Sequence, residues 1–143
     1  MNKLNCPQLQ HRMLGVLRII LAFLFIQHGT AKLLGFPFVD KFAGLSVMSL
    51  PGIAGVLELV GGALLLVGLF TRPVAFVLSG LMAFAYFIAH APKDFWTLLN
   101  GGELAVLYCF AFLYLSIAGG GAFSLDGRCC KESCKPCEPA DKA

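Results

Sequence analysis

Four apolar runs organise this chain, at about Leu14 to Leu34, Ile53 to Phe70, Pro73 to Ala89 and Glu103 to Ile117. A hydrocarbon layer about 30 Å thick takes roughly 20 helical residues to cross, so runs of this length predict membrane-spanning helices. Pro51-Gly52 predicts the start of the second helix and Thr71-Arg72-Pro73 the start of the third, because a proline in the first turn lacks an N–H that the helix does not use. Only about three residues separate those two runs, which predicts an antiparallel helical hairpin. The longer links, Gly35 to Leu50 and His90 to Gly102, carry Phe36, Phe38, Phe42, Phe95 and Trp96, aromatic residues suited to the headgroup region. They are expected to form short interfacial half-helices. The pattern predicts an all-α fold, a four-helix transmembrane bundle, divided into an N-terminal segment (1–13), a membrane domain (14–126) and a Cys-rich tail (127–143).

Composition sharpens this picture. The 143 residues are 58% hydrophobic and 13% charged, with a mean hydropathy of +0.80, far from the balance of a water-soluble domain. The first run is too long, and too interrupted by polar groups, for a cleaved signal peptide, and no small-residue cleavage site follows it. With four spans both termini share one side. That side collects Lys3, Arg12, Arg72, Arg128, Lys131, Lys135 and Lys142, against mainly Lys41 and Lys93 opposite. Positive residues mark the cytoplasmic side, so a multi-pass protein of a bacterial-type inner membrane with both termini in the cytoplasm is expected. The net charge of +3 reflects these flanks and gives no reason to invoke nucleic acid.

Charge inside the runs is the functional clue. An ionisable side chain near mid-bilayer costs about 2.5–3.5 kcal/mol on insertion scales, so it faces the bundle interior and a partner. Arg18, His28 and Lys32 fall within an arc of roughly 80° on a helical wheel. Counting about 1.5 Å per residue places His28 and Glu58 at similar depth, with Lys32 one turn beyond His28, so an ion pair of Glu58 with Lys32 or His28 is expected. Small residues at Gly55, Gly61 and Gly62 permit close helix approach beside that carboxylate, and with Gly68 they are also candidates for association into a homo-oligomer. Met82, Tyr86 and His90 repeat every fourth residue on the third helix, and Glu103 stands at the mouth of the fourth. Met82 and Tyr86 suit packing first, and His90 and Arg72 suit a solvated or headgroup-bound position.

The set Leu17-Arg18, His28-Gly29-x-x-Lys32, Glu58-Leu59-x-Gly61-Gly62, Thr71-Arg72, His90, Gly102-Glu103 and Ser124-Leu125-Asp126 resembles the DoxX family over about Leu14 to Asp126. The resemblance implies a four-helix membrane protein associated with redox chemistry or thiol and oxidative stress, with relatives that include a subunit of thiosulfate:quinone oxidoreductase. A quinone or other small redox molecule is the expected partner, with another protein or a small reductant as any electron donor. His28, Lys32, Glu58, His90 and Glu103 are the candidate catalytic residues, able to hydrogen-bond a quinone head group and relay protons. Arg18 and Tyr86 are candidates for binding it. The alternative is that the charges neutralise one another and set helix register.

Beyond this region Cys129, Cys130, Cys134 and Cys137 place four of the six cysteines within nine residues. Thiolates at this spacing are candidate ligands for Zn²⁺ or Cu(I). Cys134-Lys135-Pro136-Cys137 resembles a thioredoxin-type active sequence without the βαβ context that tunes it. These residues support a competing class, a non-enzymatic membrane anchor or metal-handling module. A small transporter built as an oligomer is a third. The chain has no P-loop, dinucleotide fingerprint, HExxH or CxxCH motif.

Overall fold

The computed structural model describes residues 7–127, and no strand occurs among them. Among them the α-helices α1 (Pro7–Leu33), α2 (Leu50–Val67), α3 (Thr71–Ala89), α4 (Thr97–Asn100) and α5 (Glu103–Ala118) follow in order. Each long link holds one short helical turn, Asp40–Phe42 in the first and α4 in the second. The expected half-helices are thus single turns. Among the described residues, α1, α2 and α3 are long and apolar enough to cross a membrane, and α5 is a shorter apolar helix of 16 residues. At about 1.5 Å per residue α5 is roughly 24 Å long, short of a hydrocarbon layer of about 30 Å. Its bounds explain the length: Gly101-Gly102 precedes it and Gly119 ends it.

Helix α1 begins well before the apolar run, because His11 and Arg12 lower hydropathy without opposing helix formation. Helix α2 begins as the proline predicts, with the Ser49 hydroxyl accepting the Gly52 N–H at 3.2 Å. It ends at Gly68, whose φ of 71° suits glycine and whose N–H returns to the last turn of the helix. The chain turns into α3 through Phe70, which holds a left-handed φ of 50°.

Two close pairs build the bundle, α1 with α2 and α3 with α5, joined by the α2–α3 hairpin. Gly29 sets the first contact: a Cβ there would lie 2.7 Å from the Leu59 backbone nitrogen, so no other residue lets the helices approach this closely. In the second pair the Ser79 hydroxyl donates to the Cys109 carbonyl at 2.8 Å. Helices α1 and α5 meet instead through rings. Phe25 lies against Tyr108 and Phe112, with centroids 5.2 and 4.8 Å away, and these residues form the centre of the core with Ala22, Leu65, Leu78 and Leu115.

Candidate functional site

The polar residues of the spans separate into two groups at opposite ends of the bundle. At one end Arg18 is completely buried, and its guanidinium is spent on backbone carbonyls. Nε donates to Gly120 at 2.8 Å, Nη1 to Leu65 and to Leu66, the latter at 2.7 Å, and Nη2 to Phe123 at 3.1 Å. Leu65 and Leu66 belong to the last turn of α2, where carbonyls run short of helical partners and a cation is favoured; Leu65 also accepts the Gly68 N–H at 3.1 Å. The Asp126 carboxylate closes the same end from the other side. It accepts the backbone N–H groups of Phe70 at 2.9 Å and Thr71 at 2.7 Å, at the N-terminus of α3. The Asp126 N–H donates to the Gly68 carbonyl at 3.0 Å, and the Ala122 N–H to the His11 carbonyl at 2.9 Å. Both ends of the described chain therefore sit at this end of the bundle.

At the other end Lys32, in the last turn of α1, donates to Glu58 Oε1 at 2.5 Å. The Glu58 side chain is 3% exposed and that of Lys32 13%, so this ion pair lies inside the protein. Its second oxygen, Oε2, is buried and accepts no hydrogen bond from the described residues. A buried carboxylate oxygen without a donor is costly and calls for one. The pair borders a cavity of about 230 Å³ that Phe25, His28, Met82, His90 and Tyr108 also line. The His28 ring stands edge-on to Tyr108, centroids 6.0 Å apart. His90 Nδ1 donates to the Asn100 carbonyl at 3.0 Å, which holds the proton on that nitrogen.

The α3–α5 link is itself organised by Asn100, which is buried. Its side-chain amide donates to the Asp94 carbonyl at 2.9 Å, and its side-chain oxygen accepts the Gly102 N–H at 2.7 Å. Its amide also approaches the Tyr86 hydroxyl at 3.5 Å, and Tyr86 stacks on His90 with centroids 6.4 Å apart. Tyr86 thus supports the His90 ring from behind.

The structure brings together His28, Lys32, Glu58 and His90 and places Glu103 outside, exposed at the start of α5. Arg18 shares a wheel position with Lys32 but lies fourteen residues earlier on α1, roughly 20 Å away along the axis. Tyr108 and Asn100 have roles the sequence reading did not assign. For Tyr108 the available signal was its place on the Leu104, Tyr108, Phe112, Leu115 face of α5. Cys129, Cys130, Cys134 and Cys137 lie outside the described residues.

A buried ion pair beside a cavity, inside an all-helical bundle of membrane-crossing length, defines a small multi-pass membrane protein with a polar interior site. Residues 13–91 match the DoxX family, and the chain belongs to it. It is 45% identical over 129 residues to an uncharacterized protein of Haemophilus influenzae, covering 87% of this chain and 96% of the relative. It is 30% identical over 117 residues to the inner membrane protein YqjF of Escherichia coli, covering 78% of this chain and 87% of the relative. No solved structure matches the chain.

Proposed function

We propose that this protein is an inner-membrane component of a redox or thiol-stress system, with both termini in the cytoplasm, and that it binds a quinone in the cavity at Glu58. The observation that carries the reading is the unpartnered Glu58 Oε2 beside that cavity, with further polar groups on its walls: His28 of α1, Tyr108 of α5 and His90 just after α3. A quinol hydroxyl supplies the donor that Oε2 lacks. In the oxidised form, the Tyr108 hydroxyl and the ammonium hydrogens of Lys32 not used by Glu58 are donors suited to quinone carbonyls. Reduction of a quinone to a quinol takes up two electrons and two protons. His28, His90 and Glu58 can pass the protons, and Lys32 offsets developing negative charge. The electrons come from outside the bundle, from a small reductant or a redox protein partner.

Native mass spectrometry of the protein purified with its lipids tests this. A quinone-sized adduct is expected on the wild type and at least tenfold less of it on Glu58→Gln, which keeps the shape of the side chain. A wild type that carries no quinone, or a variant that carries as much, overturns the reading. A second reading rests on the four clustered cysteines of the tail: Zn²⁺ or Cu(I) bound there, without quinone, makes the protein a metal-handling membrane module.

A further inference from the structure

The cavity at Glu58 is small for its proposed task. Its volume of about 230 Å³ falls below the roughly 300–1,000 Å³ usual for pockets that enclose a cofactor-sized ligand. A second chamber of about 300 Å³ adjoins it, and His28, Leu104 and Tyr108 belong to the walls of both. Together the two fall within the usual range. The second chamber lies in the seam between α1 and α5, under the α1–α2 link, where Pro37, Val39 and Phe42 cover it. This seam is the place where helices meet through rings rather than through close backbone contact, so it leaves room between them. Its chemistry differs from that of the first chamber. The first holds the ion pair and the His90 imidazole; the second is walled mainly by aliphatic and aromatic side chains. Leu24, on its wall, is 43% exposed and belongs to α1, a helix long and apolar enough to cross a membrane.

We infer that the two chambers are one bipartite site, in which the polar chamber takes the head group of an amphipathic ligand and the α1–α5 seam takes its apolar substituent, open to the bilayer past Leu24. The inference rests on the quinone reading for the polar chamber and adds the class of quinone: one with a hydrocarbon tail. His28 and Tyr108, standing on the shared wall, sit where head and tail join. Such a ligand reaches its site sideways from the membrane, without crossing water.

The test uses the intact protein in detergent micelles and two ligands with the same dimethoxy-methyl-benzoquinone head, one with a decyl tail and one without. Affinities are read by native mass spectrometry. Leu24→Trp and Val39→Trp narrow the seam chamber without touching the polar one, and Leu107→Trp is the control, at a residue 67% exposed on α5 that lines neither chamber. The wild type is expected to bind the decyl quinone at least tenfold more tightly than the tail-less one. Leu24→Trp and Val39→Trp are expected to remove most of that advantage while changing tail-less binding less than twofold, and Leu107→Trp to change neither. Equal wild-type affinity for both ligands, or an advantage that survives both seam substitutions, overturns the bipartite site and leaves the quinone reading standing. A wild type that binds neither overturns the quinone reading and this inference with it.

Discussion

Each end of the bundle holds one buried cation and one carboxylate, yet the two ends use them in opposite ways. Arg18 and Asp126 direct their hydrogen bonds to backbone groups: the cation to carbonyls at the end of α2 and in the chain after α5, the anion to N–H groups at the start of α3. They finish helix ends that would otherwise be unsatisfied. Lys32 and Glu58 bind each other and leave a carboxylate oxygen unfilled at the edge of a cavity. Burial of charge in a membrane helix is therefore not in itself what sets the two ends apart; unused bonding capacity beside a cavity is. Thr71 Oγ1, at the Arg18 end, is also buried without a partner among the described residues, but it is a hydroxyl and lines neither of the two cavities.

Substitutions at the two ends test that contrast. The largest effect is expected from Arg18→Leu, which takes the guanidinium from the carbonyls of Leu66, Gly120 and Phe123 and leaves Leu65 with the Gly68 N–H. With charge-assisted hydrogen bonds contributing about 1.5–3 kcal/mol each, the loss exceeds about 4 kcal/mol, and yield of folded protein by size-exclusion chromatography should collapse. Next comes Lys32→Met, which leaves Glu58 buried without its cation and is expected to cost about 3–5 kcal/mol in a reversible unfolding assay. Adding Glu58→Gln to that variant should restore most of the stability but not ligand binding. If the double variant is as unstable as Lys32→Met, the pair has a structural role like that of Arg18. The smallest effect is expected from Asp126→Ala, which removes a helix cap worth about 0.5–2 kcal/mol. It should lower the melting temperature by a few degrees and leave quinone binding unchanged; loss of binding would mean that the two ends are coupled.

Much of the fold was legible because crossing a membrane imposes a length as well as a composition. Pro51 and Pro73 then punctuate the helices at places where backbone chemistry leaves little choice. An ion pair of Glu58 with Lys32 or His28 was legible too, since residue counting along two antiparallel helices puts His28 and Glu58 at one depth and Lys32 one turn beyond; the packed bundle selects Lys32. The placement of Arg18 was not. A helical wheel keeps the angle around the axis and discards the distance along it, so residues at opposite ends of α1 fall on one face. Tyr108 and Asn100 escaped for a different reason: they carry no charge, and their importance comes from burial between helices that only the packed bundle defines. The length of α5, by contrast, was legible: the apolar run Glu103 to Ile117 matches the helix Glu103–Ala118 to within one residue, because glycines bound it on both sides.

The Arg18 clasp has a consequence for how the protein is made. The ribosome delivers α1 first, and with it an arginine that must enter the membrane long before all its carbonyl partners exist. Leu65 and Leu66 arrive only with the end of α2, and Gly120 and Phe123 only after the last helix has been synthesised. Until then the nascent chain carries a bilayer-embedded cation that is short of partners, and it exchanges that liability for stability in one late step. A chain cut short before Gly120 never completes the exchange. The same side chain that locks the finished bundle thereby distinguishes it from an unfinished one.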